Sequence, residues 1–292
     1  SGGGQGTAWI FAHHPELLRG ATAVINEGGS NRRINGRTLW WGIEVAQKRP
    51  LWLEVTTHGR GGHSSNLEPH SAIHKLIAAL ARLLDMPPHY HLCAAARRYF
   101  EALAPLHNPF WRKIFLHLDQ EIAPQGPRSA MMPGMAAWFL DTVQITRLEG
   151  GDRINVIPPV ASAKIDIRLL PDTNEKEFLV KAEKAMGPEA RVKVILTAPP
   201  TAASPDSGPL WKSFTRVLES SAPVVPAMIS GFTDSRYFRE RGIAAYGFSP
   251  FELAGKDLRG IHGPDEHIPL AAFDRGVERM RRIVVDAVTG SP

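Results

Sequence analysis

The succession of periodicities between residues 51 and 196 constrains this chain more than any other feature of its sequence. Leu51–Thr57 is rich in β-branched and aromatic residues, as strands are. From Pro69 onward Ile73, Leu76, Ile77, Leu80, Leu83 and Leu84 recur at three- and four-residue spacing. That spacing puts them on one helical face, and the helix ends before Pro87-Pro88. Thr142–Leu148 and Ala161–Leu169 alternate apolar and polar side chains, Glu175–Met186 has helical composition, and Arg191–Leu196 reads as a strand. The order strand, helix, strand, strand, helix, strand is the split βαβ pattern of a small two-layer domain.

The flanking segments read as a second unit. Thr7–His14 is a short helix stopped at Pro15, because proline disfavours helical geometry in the residue before it. Ala21–Ile25 is β-leaning and runs into Asn26-Glu27-Gly28-Gly29, and Ile43–Ala46 is a further strand. Within the Pro-, His- and aromatic-rich stretch from about His89 to Pro133, helices are expected around 94–103 and 111–118. Ala198–Pro209, rich in Pro, Ala and Ser, reads as a linker. After it come helices at 210–220 and 235–240, a strand at 243–248 and a last helix at 270–288. At 292 residues the chain is long for one core. One α/β domain, spanning 1–49 and 199–292 and continuing upstream of residue 1, is therefore expected to hold residues 50–198 as an insertion.

Composition removes several functional classes. The net charge of +5 comes from basic residues scattered as short pairs, and no polybasic run argues for nucleic acid or a membrane surface. No apolar stretch approaches the ~20 residues of a membrane span. The single cysteine, Cys93, excludes an internal disulfide and thiolate zinc sites, so any metal must use His and carboxylates. The chain opens Ser-Gly-Gly-Gly rather than with methionine, so its true N-terminus is expected upstream and the lack of a signal-peptide pattern here does not fix the compartment; a cytoplasmic location is the working expectation.

Several residues could carry chemistry. Glu27 stands at the carboxyl end of a strand and before two glycines, where α/β proteins build sites, although an acidic turn residue reads the same way. His262 lies in Ile261-His262-Gly263-Pro264-Asp265-Glu266-His267, a loop offering the imidazole and carboxylate ligands that zinc accepts without cysteine. Asp265 and Glu266 equally suit the start of the last helix. His63 sits in Gly61-Gly62-His63-Ser64-Ser65, whose glycines let the loop approach a ligand or another backbone. Asn155 is a neutral donor suited to an oxyanion and Arg168 a rigid fork suited to a carboxylate; either could instead serve a turn or pair with Asp166. His70 and His74 have metal-ligand spacing, but Ser71 stands where a zincin needs glutamate, so they read as solvent-facing.

Taken jointly, Asn26-Glu27-Gly28-Gly29, Gly61-Gly62-His63-Ser64-Ser65, Asn155-Val156-Ile157-Pro158, Gly231-Phe232-Thr233-Asp234-Ser235-Arg236-Tyr237-Phe238 and His262-Gly263-Pro264-Asp265-Glu266 follow a known order and spacing. The chain resembles the co-catalytic zinc peptidase family of carboxypeptidase S, aminoacylase, acetylornithine deacetylase and succinyl-diaminopimelate desuccinylase. Ala12–Leu18 and the long 87–140 stretch are most similar to the carboxypeptidase S-like branch. The resemblance implies a catalytic domain with a mixed sheet, here incomplete, and helices on both faces. It also implies an inserted ferredoxin-like lid that dimerises. It implies hydrolysis of N-acyl amino acids or short peptides with a free carboxylate, using two zinc ions. Glu27 would then be a ligand of one zinc and His262 of the other. His63 would reach the partner subunit's site to hold the substrate carbonyl oxygen. Asn155 and Arg168 would bind substrate from the lid, and Thr233 and Asp234 would flank the cleft, Asp234 also being placed to cap its helix. The family's His-x-Asp motif, its bridging aspartate and its Glu-Glu pair have no counterpart in residues 1–26. The chain alone is therefore expected to be inactive, and a non-catalytic binding or dimerising relative is the alternative.

Overall fold

The computed structural model describes residues 4–123, 126–127, 135–258 and 263–290. In chain order the elements begin with α1 (Thr7–His13), β1 (Ala23–Asn26), β2 (Arg32–Ile34), β3 (Arg37–Gln47), β4 (Arg49–His58) and β5 (Gly62–His63). Then follow α2 (Ala72–Leu84), α3 (Ala94–Leu103), α4 (Pro109–Leu116), α5 (Leu118–Glu121), β6 (Ile122–Ala123), β7 (Gly126–Pro127) and β8 (Thr142–Glu149). Next are β9 (Val156–Ile157), β10 (Val160–Leu169), α6 (Glu175–Met186), β11 (Ala190–Thr197), α7 (Pro209–Leu218) and β12 (Val224–Ile229). The chain closes with α8 (Ser235–Arg239), β13 (Ala244–Gly247), α9 (Gly255–Leu258) and α10 (Leu270–Thr289). Two compact units result, one of residues 1–47, 94–118 and 201–292, the other of residues 48–93 and 119–200. Residues 94–118, inside the span expected for the insertion, thus cluster with the first unit. There Tyr99 Oη lies 3.1 Å from Ser30 Oγ, and the Trp40 and His107 rings are 5.5 Å apart.

The second unit is the split βαβ domain. Its sheet runs β11-β4-β10-β8, every neighbouring pair antiparallel. Strand alternation sends Leu51, Leu53 and Val55 of β4 and Ala161, Ala163, Ile165 and Ile167 of β10 to one face. There α2 and α6 cover them with Leu76, Leu80, Leu83, Ala182 and Met186. Each leucine, isoleucine, valine or methionine so buried contributes about 2 kcal/mol. The inward stripe of α2 is Ala72, Leu76, Ala79, Leu80 and Leu83, whose small alanines allow close approach to the sheet. Ile77, grouped by spacing with the packing face, is 60% exposed, because it stands one helical step of about 100° round from Leu76, away from the Ala72, Ala79 and Leu83 side of the buried stripe. Ser71 caps α2 by accepting from the His74 amide at 3.3 Å.

Where the chain enters this unit, two buried cations rest on backbone oxygens. Lys48 Nζ donates to the carbonyls of Leu140 (2.8 Å) and Ala137 (3.2 Å) and to Thr142 Oγ1 (3.3 Å). Burial lowers its pKa to about 8, with Asp141 pulling the other way. Arg49 Nη1 donates to the Ala198 carbonyl at 3.0 Å and lies 3.6 Å from Glu175. Both ends of this unit are thereby tied together.

The first unit has a mixed sheet ordered β1-β13-β3-β12, with β2 paired on β3. β1 runs parallel to β13 and β12 parallel to β3, while β13 meets β3 in antiparallel fashion at Gly247 and Glu44. Trp41, Ile43 and Val45 of β3 face a core completed by Trp211, Phe214 and Leu218 of α7, Tyr246, Phe248 and Ile283 of α10. Glu44, one residue out of phase, turns to the opposite face, where α8 lies. The segment forming β12 was not recognisable as a strand because of Pro226. Among the described residues β12 has a strand neighbour, β3, on one side alone, and such an outer strand is where a sheet accommodates proline.

Candidate functional site

In the first unit, Glu27 follows β1, and its side chain is exposed. The turn after it depends on glycine. Gly28 and Gly29 have φ of 139° and 98°, and a Cβ on Gly29 would come 2.8 Å from the Gly42 carbonyl. Asn26 Nδ2 donates to Ser235 Oγ at 3.1 Å, and Ser235 Oγ donates on to Glu44 Oε2 at 3.4 Å. That link seats the Glu27 turn beside the segment carrying Thr233 and Asp234, although the two are distant in sequence. Thr233, rather than Asp234, caps α8: its Oγ1 accepts from the Ser235 amide at 3.2 Å. Asp234 makes no side-chain cap bond and instead accepts from Thr7 Oγ1 at 2.7 Å. Arg236, only 3% exposed, lays its guanidinium 4.3 Å from the Tyr237 ring centroid.

Beneath these segments lies a charge pair that pattern reading missed. Glu44 and Arg239 are buried, with side chains 0% and 2% exposed, and approach to 2.6 Å. Arg239 also donates to Ser204 Oγ at 3.0 Å and to the Ala245 carbonyl at 2.6 Å. Burial pushes the Glu44 carboxyl up, against the downward pull of Arg239, Ser235 and the Gly247 amide. The available signal was a glutamate inside the apolar run Leu39–Ala46, since an acid is rarely enclosed unless paired.

His262 lies outside the described residues. Among the described residues no group of three or more His, Cys, Asp and Glu side chains is placed to hold a metal ion. A catalytic zinc takes about three protein ligands, so the described residues do not by themselves fit the expected metal centre. His70 and His74 are both exposed, as read.

In the second unit the structure brings His63 and Asn155 together. β5 pairs with β9, His63 opposite Val156, and the Ser64 amide donates to the Asn155 carbonyl at 3.1 Å. His63 is exposed, and its Nδ1 accepts from the Ser65 amide at 3.2 Å. An N–H aimed at Nδ1 needs a lone pair there, so the neutral ring carries its proton on Nε2 and presents a donor. Arg168 stands apart from this pair. β10 runs from Val160, opposite His58, to Leu169, opposite Arg49. That separates Arg168 from the His63 end by roughly 25 Å of strand. Its Nε and Nη2 donate to the two oxygens of Asp166, each at 2.6 Å, and Trp52 Nε1 donates to Asp166 Oδ1 at 3.0 Å. The fork is thus already matched to one carboxylate.

The peptidase dimerisation domain of the M20 family matches residues 45–194, just over half of the chain. Aminoacylase-1 of Pongo abelii is 28% identical over 291 residues, covering 97% of this chain and 60% of the relative. The human N-fatty-acyl-amino acid synthase/hydrolase PM20D1 is 27% identical over 258 residues, covering 85% of this chain and 51% of the relative. The chain therefore spans about half to three fifths of these relatives. Among solved structures, the di-peptidase Dug1p of Saccharomyces cerevisiae superposes with a TM-score of 0.65 at 15% identity, covering 98% of this chain and 63% of that one. It shows the shared fold. By its dimerisation domain and its relatives, this chain belongs to the M20 peptidase family.

Proposed function

We propose that the whole protein hydrolyses linear amides, cleaving N-acyl amino acids or short peptides with a free carboxylate. The observation that carries this reading is the Asn26–Ser235 hydrogen bond, which joins the Glu27 turn to the Thr233–Asp234 segment in a chain of this family. The relatives support the substrate class, since an aminoacylase and an N-fatty-acyl-amino acid synthase/hydrolase are among them.

In this reading Glu27 and His262 would each supply one ligand to a two-zinc centre, and the metal, once the upstream ligands were present, would supply the acidity for a water and the polarisation of the amide carbonyl. The remaining roles belong to this chain's own donors. His63 offers its Nε2 proton to the carbonyl oxygen, in the partner subunit's site, and Asn155 adds a neutral donor. Arg168 receives the substrate carboxylate, for which it must loosen its hold on Asp166, while Thr233 and Asp234 line the substrate path. The reading includes a homodimer through the lid, a domain division at residues 49/50 and 198/199, and the carboxypeptidase S-like branch. The alternative reading is a non-catalytic relative that only binds or dimerises.

The test assays the 292-residue chain, and a form extended upstream to the length of its relatives, with added zinc on a panel of N-acyl amino acids. The extended form is expected to turn over and to lose most activity on His262→Ala, and the chain alone to be inactive. Chelator-sensitive turnover by the chain alone would sink the ligand assignment. An inert extended form would favour the binding relative.

A further inference from the structure

Gln47 ends β3, is 6% exposed, and spends its whole side-chain amide on one residue. Its Oε1 accepts from both the Thr233 amide (3.1 Å) and Thr233 Oγ1 (3.0 Å), and its Nε2 donates to the Thr233 carbonyl (3.2 Å). The amide orientation is dictated by these partners, since only the oxygen can meet an N–H and only the nitrogen a carbonyl. A surface loop needing mere attachment would not require three bonds from a buried group whose loss strands polar atoms.

A second observation concerns how Gln47 reaches this place. In a regular strand, residues three apart point to opposite faces, yet Glu44 and Gln47 both contact the 233–235 segment. The pairing of β12 with β3 shows why: Ala227 lies opposite Glu44 but Met228 lies opposite Ala46, leaving Val45 as an extra residue. This bulge reverses the strand's phase, so that Glu44 and Gln47 share a face. Bulges of this kind re-aim side chains and concentrate beside functional sites.

We propose that Gln47 is a positioning residue, whose buried amide and the Val45 bulge that aims it fix the Thr233–Asp234 turn in the shape that receives substrate. This rests on the reading of Thr233 and Asp234 as substrate-binding. Gln47 itself touches no reacting atom; it acts through Thr233, and through the Asp234 carboxylate that follows.

The experiment compares Gln47→Leu, which removes all three bonds, with Gln47→Glu, which keeps the two acceptances. On the 292-residue chain, hydrogen exchange at the Thr233 amide is expected to quicken at least about tenfold in Gln47→Leu and less in Gln47→Glu, with the α7 and α10 amides unchanged. On the length of chain that hydrolyses an N-acetyl amino acid, Gln47→Leu is expected to raise KM about tenfold with kcat held within about twofold. Loss of folded enzyme would instead lower kcat and leave KM in place. Unaltered Thr233 exchange, or a fall in kcat alone, overturns the proposal. Asp234→Asn separates the two layers: if it leaves KM unmoved, the substrate-binding reading of this turn fails whatever Gln47 does to exchange.

Discussion

Replacing Arg239 by methionine should cost the first unit about 3 to 5 kcal/mol, the range seen when one partner of a buried ion pair is removed. The structure explains why the upper part of the range is reasonable. Glu44 is 0% exposed, and without Arg239 its charge would keep only the Ser235 hydroxyl, at 3.4 Å, and the Gly247 amide. The Ala245 carbonyl adds little to the loss, because Ser204 Oγ still donates to it at 2.7 Å. The cost is therefore electrostatic, and neutralising the stranded acid should recover much of it. The double variant Arg239→Met with Glu44→Gln should be at least about 1 kcal/mol more stable than Arg239→Met alone, a coupling typical of contacting residues. Urea unfolding followed by tryptophan fluorescence reads the effect, since Trp41 and Trp211 lie in the core of this unit. A loss under about 1 kcal/mol for the single variant, or a double variant as unstable as the two single losses added together, would refute the reasoning.

Two further outcomes follow from the same geometry. Gly247→Ala should destabilise the first unit by about 1 to 3 kcal/mol, because the new Cβ would overlap Glu44 Oε2 and come 2.8 Å from the Glu27 carbonyl; an unchanged melting temperature would show that the turn has room. Lys48 has a folded pKa of about 8 against its ordinary 10.5, so the folded second unit binds fewer protons than the unfolded chain between those values, and its stability should rise as pH climbs from 7.5 to 9.5. Lys48→Met should flatten that slope in thermal melts.

The legible parts of this molecule were those governed by a single period. The four long strands and the two covering helices of the second unit were readable from their periodicity and composition, and Glu175–Met186 coincides with α6, whereas its two-residue strands carry no period to read. Ile77 shows the limit: spacing identifies a face to within a residue, whereas alanines at 72 and 79 decide how the helix is rolled. β12 was hidden because Pro226 forbids a central strand, and only the sheet order reveals an edge. For the candidate site, Glu27 and Thr233 stood out as motif residues, but Gln47 did not. Its role depends on a bulge, and a bulge is a property of pairing between strands rather than of either strand's composition.

The interleaved course of the chain bears on how it can fold. β1 and β13 pair across roughly 220 intervening residues, and closing so long a loop is entropically costly and slow. The second unit closes shorter loops, β4 pairing with β10 and with β11, and Arg49 fastens its entry to Ala198 near its exit. Once that unit has formed, most of the intervening chain is already folded away, which shortens the effective loop between β3 and α7. With the effective loop cut to roughly a third, the closure cost falls by about 1 kcal/mol. A second unit that forms first would thereby bring the two halves of the first within reach of each other.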